Sequence, residues 1–305
     1  MTNSPIAEPL VDLSEIAEIE LFILKRMKEL TLGDHASVFK GPGFNFVGVR
    51  DWEPGDRVSS IDWAQSSLTN FSPMVMREFE QPSNATIIAV ADASLSTRCG
   101  THGTPIAAAI ARSIAAVGLS AVFFQDVFGL LTFDANFRPI AAVRPRIGKS
   151  HVLHCLDQYQ DHAHAEDAKA SRDFEATIAA QLRRTSLVPV ISDFLFPDVE
   201  RVISELSRLN AVHDVFLIMV DVRFAYALPD IGAGWIEIFD VETGTTRILS
   251  RRELRLLAVR IEEWQEHLQR LAHDMDLDIV RVGLDRWEME TALVNLVTER
   301  RLRKL

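Results

Sequence analysis

The sequence predicts an α/β fold: a doubly wound, mostly parallel sheet, preceded by an N-terminal helix and a strand-rich segment. Three observations carry this expectation. From Asn84 onward, short apolar runs alternate with helical patterns, the order that a parallel sheet covered on both faces requires. The runs at 87–91, 187–192 and 215–220 are almost unbroken, as strands buried on both faces must be. Each is followed by an aspartate (Asp92, Asp193, Asp221), at the carboxyl edge where open α/β sheets place their ligands.

Size and charge narrow the function classes. A chain of 305 residues suffices for one large domain, alone or with a smaller one. Its 48% hydrophobic and 25% charged residues are ordinary globular composition. A net charge of −11 disfavours a nucleic-acid partner, because phosphate binding needs a basic face. The basic run Arg300-Arg-Leu-Arg-Lys304 reads as a helix C-terminus complementing its dipole. Cys99 and Cys155 form no CxxC pair, so a thiolate zinc site is unsupported and a reducing compartment fits. No signal-peptide pattern opens the chain, and no apolar run approaches the ~20 residues of a membrane-spanning helix. The expectation is a soluble, cytoplasmic protein with no transmembrane segment.

Residues 1–33 read as a tail and one amphipathic helix. Asp12 and Glu15 form a capping box, and Ile16, Ile19, Ile23, Met27 and Leu30 recur at helical spacing before Gly33. Docking on its own domain is the default for such a stripe. Residues 34–84 read as an added strand-rich module. It holds the turn Gly41-Pro-Gly43, then an acidic-aromatic block with Arg50, Trp52, Gly55 and Asp56. Ile61-Asp62-Trp63 and a strand at 74–79 follow. Its alternating charge fits a solvated loop pinned by two buried indoles, with no metal or nucleophile spacing.

Residues 85–305 carry the alternating pattern. Strands are expected at 86–92, 127–133, 137–143, 187–193, 215–220 and 278–282. Asp134-Ala-Asn136 is a hairpin signal that puts one antiparallel strand at a sheet edge. Helices are expected at about 104–119, 150–159, 172–184, 198–209, 251–273 and 287–304. A second hairpin, near 235–250, turns at Glu242-Thr-Gly244.

The candidate site is Asp92-Ala-Ser94-Leu-Ser96. One carboxylate and two hydroxyls at alternate positions offer hard oxygen ligands of the kind Mg²⁺ prefers. The competing bland reading is that Asp92 caps the following helix. In a doubly wound sheet the strands ending in Asp92 and Asp193 lie side by side, so two carboxylates would converge beside two hydroxyls. Ser150 reads as a helix N-cap that also offers a hydroxyl to the site. Gly148-Lys149-Ser150 mimics the end of a P-loop, but Val143 stands where the first glycine belongs. His162, His164, Glu166 and Asp167, with His151 and His154 nearby, lack a known ligand spacing and read as a solvated stretch. Asp92-Ala-Ser-Leu-Ser-Thr97 also partly resembles the DxDxT loop of haloacid-dehalogenase-type phosphatases. Ser94 then replaces the general acid, leaving no obvious proton source.

Taken together, Gly43-Phe-Asn-Phe46, the Arg50–Asp56 block, Ile61-Asp62-Trp63, DxSxS at 92–96 and Ser192-Asp193-Phe194 resemble the family called domain of unknown function 58. The likeness runs from about residue 34 to the C-terminus. It implies a Rossmann-like, von Willebrand factor A-like domain with a metal-ion-dependent adhesion site (MIDAS). Asp92, Ser94 and Ser96 match its first motif, Asp193 its late aspartate, and Ser150 its usual threonine. Arg50, Trp52, Gly55, Asp56, Asp62 and Trp63 match the family's signature block. Thr97 departs from a common methionine, and Ser59 and Ser60 from common arginines. The resemblance further implies an adaptor working with a MoxR-type AAA+ ATPase and other A-domain or client proteins, in chaperone-like assembly or maturation. The cofactor would be Mg²⁺, with Mn²⁺ or Ca²⁺ as substitutes. The expected function is a non-enzymatic binding module. The alternatives are a Mg²⁺-dependent phosphohydrolase with Asp92 as nucleophile, and a structural A-like domain with a vestigial site.

Overall fold

The structure is a computed structural model. It describes residues 9–32, 45–53, 61–68, 70–80, 84–98, 100–101, 104–161, 173–196, 198–222, 235–239, 246–283 and 286–303. The chain divides into two compact units, Met1–Arg26 with Ala85–Leu305, and Met27–Asn84.

Helix α1 (Leu13–Leu32) begins at the expected capping box. The Glu15 N–H donates to Asp12 Oδ1 at 2.8 Å, and the Asp12 N–H to Glu15 Oε2 at 3.3 Å. As far as Arg26 the helix belongs to the larger unit. Ile16, Ile19 and Ile23 are buried there. The same stretch is tied down by Glu15 to Arg112 (3.1 Å), by Glu20 to Lys149, and by Arg26 Nε to Asn295 Oδ1 (3.1 Å).

The smaller unit holds β1 (Asn45–Asp51), α2 (Trp63–Leu68) and β2 (Val75–Glu80). The strands pair antiparallel, with a bulge between Phe46 and Gly48. Buried Asp62 sets the start of α2: its Oδ1 accepts the N–H groups of Ala64 and Gln65 at 3.1 and 3.2 Å. Ser66 Oγ then accepts the Val75 N–H at 2.9 Å, which fastens the helix to β2. The two indoles are not both buried as expected. Trp63 is the first helical residue after the Asp62 cap and is 56% exposed, while Trp52 is half-buried. Arg50 lies in β1 opposite Met76. Gly55, Asp56, Ser59, Ser60 and the turn at 41–43 lie outside the described residues.

The larger unit is a mixed α/β fold built on β3 (Thr86–Asp92). A 3₁₀ turn (Leu95–Arg98) and a small antiparallel pair, β4 (Gly100–Thr101) and β5 (Thr104–Pro105), lead into α3 (Ile106–Phe123). There follow β6 (Val127–Phe133), β7 (Pro139–Arg146), α4 (Lys149–Gln160), α5 (Phe174–Ala179), β8 (Leu187–Ser192), α6 (Val199–Asn210) and β9 (Asp214–Val220). Then come β10 (Trp235–Phe239), β11 (Thr246–Ser250), α7 (Arg251–Asp274), β12 (Asp278–Val282) and α8 (Arg286–Arg303). The six-stranded sheet has the order β12-β9-β8-β3-β6-β7. Every neighbour pairs parallel except β7, the antiparallel edge strand that the hairpin signal predicts. Strands β10 and β11 form their own antiparallel pair.

Helices cover both faces. On one face α3 packs against the sheet, α4 and α8. On the other, α5, α6 and α7 pack in series over a cluster that includes Val190, Phe194, Leu206, Leu217 and Leu268. All seven residues of β3 and all six of β8 are buried, which explains their unbroken apolar runs. Helix α3 is apolar enough to match a membrane span, with a hydropathy of 1.9 over 18 residues, yet 83% of it is buried inside the fold. It is a core helix. Cys155, buried on α4, has its thiol pKa pushed up to about 12 by that burial.

Among the boundaries that differ from the sequence reading, two have a plain local cause. Strand β7 starts at Pro139 because the turn extends to Arg138: Asp134 Oδ1 accepts the N–H groups of Asn136 and Arg138, both at 2.9 Å. Helix α5 is short. Asp173 caps it, Glu205 Oε2 of α6 takes the Phe174 N–H at 2.8 Å, and the backbone tightens to i→i−3 bonds at Gln181 and Leu182.

Gly118 of α3 sits where α3, α4 and β6 meet. An added Cβ would stand 2.7 Å from Val152 Cγ1 and 3.1 Å from Phe128 Cε1. Helix propensity alone favours alanine there by ~1 kcal/mol, whereas overpacking costs ~1–3 kcal/mol. Gly118→Ala is therefore expected to lower the melting temperature in a calorimetric scan. A raised melting temperature would show that α4 can move aside.

Candidate functional site

The carboxyl edge at β3 and β8 is a topological switch point. The chain leaves β3 through α3 to β6 on one side, and returns through α4 and α5 to β8 on the other. Pairing of Ala91 with Ile191 sets the register, so Asp92 and Ser192 stand next to each other on one face of adjacent strands. Asp92 ends β3, and Asp193, 101 positions later in sequence, is the first residue past the end of β8.

The Asp92 carboxylate is held at both oxygens. Its Oδ1 accepts the Ser94 N–H at 2.8 Å, the local turn that gives the capping reading its share of truth. Its Oδ2 accepts the Ser192 hydroxyl at 2.7 Å, and Ser192 Oγ in turn accepts the Phe194 N–H at 2.9 Å. Tyr159, at the end of α4, donates its hydroxyl to the Asp92 carbonyl at 2.9 Å. Burial above all, then the Asp92 charge, pushes the phenol pKa upward, so it stays a neutral donor. Asp193 adds to that upward shift, while Arg98 and Thr97 act against it. Asp92 is 1% exposed and Asp193 is 4% exposed. Asp193 Oδ1 accepts the Leu195 N–H at 3.0 Å.

Ser94 Oγ and Ser96 Oγ lie 3.0 Å apart. The Ser94 carbonyl accepts the buried Thr97 hydroxyl at 2.7 Å, which fixes the turn presenting both serines. Among the described residues no group of three or more His, Cys, Asp or Glu comes together. The available donors at this edge are instead two carboxylates and two hydroxyls, all hard oxygens. The third edge aspartate, Asp221, is differently engaged: Arg281 Nη2 pairs with it at 3.0 Å and Arg281 Nη1 with Glu262 at 3.2 Å.

Ser150 does not join this group. The β6–β7 hairpin reverses the chain, and β7 ends with Arg146 opposite Phe128, at the amino edge of the sheet. Helix α4 therefore starts at the far edge and climbs back to bring Tyr159 to Asp92. Nor is Ser150 the N-cap. Gly148 occupies that position at φ 114°, and Ser150 is an exposed residue of the first turn. The P-loop mimic is thus an edge-strand exit. His151 and His154 lie on α4 with ring centroids 6.2 Å apart, and 162–172 lie outside the described residues.

The sequence reading missed two residues of the site. Ser192 left a signal, being a hydroxyl in a wholly buried strand and so in need of a partner. Tyr159 left none, because nothing local links it to position 92. Phe194 adds a feature that sequence cannot supply. It is a buried bulky residue at φ 54°, held by its N–H to Ser192 and by its carbonyl, which accepts the Trp264 indole N–H at 3.1 Å.

The family described as "Protein of unknown function DUF58" matches residues 48–270. The chain belongs to this family. Other similar proteins include uncharacterized proteins of Mycobacterium tuberculosis and Mycobacterium bovis. Each is 29% identical over 241 residues, spanning 76% of this chain and 71% of the relative. Among solved structures, an aerotolerance-related membrane protein from Bacteroides fragilis aligns with a TM-score of 0.45 and 13% identity, over 71% of this DUF58 chain and 100% of that one. The conserved hypothetical protein BatB from Bacteroides thetaiotaomicron aligns at 0.42 and 12%, over 72% and 100%.

Ser192→Ala removes a donor from the buried Asp92 carboxylate and an acceptor from the Phe194 N–H. The expected loss is roughly 1–3 kcal/mol of unfolding free energy, read by urea titration. Tyr159→Phe, which leaves a carbonyl rather than a charge behind, is expected to cost less. Equal and negligible effects would mean that water replaces both hydroxyls freely.

Proposed function

We propose that this DUF58 chain is a non-enzymatic binding module of von Willebrand factor A-like type. In this reading Asp92, Ser94, Ser96 and Asp193 hold a divalent cation, Mg²⁺ in preference to Mn²⁺ or Ca²⁺, in a metal-ion-dependent adhesion site. When bound, the cation supplies a positive, Lewis-acidic position that an acidic side chain of a partner protein can occupy. The family resemblance names the partner class: a MoxR-type AAA+ ATPase, acting with the chain in assembly or maturation of other proteins.

One observation carries this reading: two serine hydroxyls, hydrogen-bonded at 3.0 Å, in the turn that directly follows a buried carboxylate. Oxygens in adjacent octahedral positions about Mg²⁺, each ~2.1 Å from the ion, stand about 3 Å apart. The hydrogen bond between the two hydroxyls thus sets them at a spacing that neighbouring ligands of that ion also take. Ser192 and the Ser94 N–H hold Asp92 in place, so its carboxylate is oriented before any cation arrives.

The phosphohydrolase alternative is less well supported. The position of the general acid is Ser94. The nearby phenol of Tyr159 gives its proton to the Asp92 carbonyl and, with its raised pKa, is poorly suited to proton transfer near neutrality.

The test is affinity capture from native-host lysate with Mg²⁺-ATP and again with EDTA, followed by mass spectrometry. The wild-type chain is expected to retain an AAA+ ATPase only with metal. Asp92→Ala and the milder Ser94→Ala/Ser96→Ala pair are expected to lose it while keeping a cooperative thermal transition. Equal capture by all three proteins in EDTA would remove the cation from the account.

A further inference from the structure

We infer that the pocket beside this edge receives an apolar side chain of an acidic partner segment, two residues along from the carboxylate that the cation takes. The inference rests on the adhesion-site reading and specifies what the site recognises. The pocket, of about 290 Å³, is lined by Leu195, Phe196, Arg260, Ile261 and Trp264. That is just below the ~300–1,000 Å³ of small-molecule sites, and suits one or two side chains.

Continuity ties the pocket to the site. Leu195, in its wall, is two residues from Asp193 and donates its N–H to the Asp193 carboxylate at 3.0 Å. Two residues of extended chain span ~7 Å, and in an extended peptide side chains two apart share a face. In this proposal a partner strand with its acid at the cation has its next same-face side chain within reach of the wall that Leu195 forms beside Asp193. The wall is firm: the Trp264 indole is bonded to the Phe194 carbonyl, and Phe194 and Phe196 belong to a buried phenylalanine cluster with Phe133, Phe137 and Phe174.

Charge selects the occupant. Arg260 is exposed on the pocket's rim and has no ion-pair partner among the described residues. In a chain of net charge −11, Arg260 and a bound cation are local positive points that an acidic segment can meet. Leu256, one turn earlier on α7 and 50% exposed, extends the apolar strip. The segment is therefore acidic–x–apolar–x–acidic: one carboxylate for the cation, the apolar side chain for the pocket, and the second carboxylate for Arg260.

The probe is the peptide acetyl-Gly-Asp-Ser-Leu-Ser-Asp-Gly-amide, titrated into the full chain with MgCl₂ in excess. Binding is followed by the Trp264 indole N–H in proton–nitrogen NMR spectra, assigned with Trp264→Phe. Mg²⁺ affinity is measured separately by calorimetry. The expected result is a saturable shift of that resonance, with Kd raised roughly fivefold or more by Arg260→Glu and raised again when the peptide's Leu is replaced by Ser. Mg²⁺ affinity should stay unchanged in Arg260→Glu. An unmoved Trp264 resonance, or equal Kd values for both proteins and both peptides, would overturn the pocket. Failure of the adhesion-site reading shows separately, as no Mg²⁺ heat in the wild type. Pocket binding that persists without that heat would keep the pocket and discard the cation.

Discussion

Burying the Asp92 carboxylate at the end of the central strand is the constraint on which the rest of this edge depends. An ionised carboxylate removed from water costs several kcal/mol unless hydrogen bonds replace the lost solvent. The fold supplies them from two directions: the Ser94 N–H from the turn just after β3, and the Ser192 hydroxyl from the end of β8. The second donor exists only because β3 and β8 pair in parallel with Ala91 opposite Ile191. Strand register, switch-point topology and the chemistry of the edge are thus one requirement seen at three scales.

The two edges of the sheet are finished differently. At the amino edge, Arg300 of α8 pairs with Asp214 and Asp278, which open β9 and β12, and lies 4.8 Å over the Phe216 ring. That closes the edge and makes part of the basic run a buried clamp, beyond the dipole role expected of it. At the carboxyl edge, Asp221 is likewise neutralised by Arg281. Asp92 there accepts a backbone N–H and a hydroxyl, and Asp193 accepts a backbone N–H.

Much of the larger unit was legible in the sequence, because buried parallel strands announce themselves as apolar runs. Strands β3, β6 and β12 match the expected limits, and the Asp134–Asn136 signal placed the antiparallel edge strand. Motif spacing also drew attention to Asp92, Ser94 and Ser96, which the structure joins through local hydrogen bonds of one turn. What failed was non-local. Ser150 was assigned to the site by analogy of order, but the hairpin carries it to the opposite edge. Tyr159 arrives there through the rise of a whole helix, which no short pattern encodes. The left-handed backbone of Phe194 is imposed by its partners, against its own preference. Trp63 illustrates the converse: an aromatic residue in a signature block need not be core when a cap fixes it at a helix start.

The most direct test of the account is a crystal grown with Mn²⁺, examined for anomalous scattering at the carboxyl edge. The account predicts a single strong peak in contact with Ser94 Oγ and Ser96 Oγ, beside Asp92, with Ser192 still bonded to the Asp92 carboxylate. A map without that peak, in which the two serine hydroxyls remain bonded to each other at saturating metal, would contradict it.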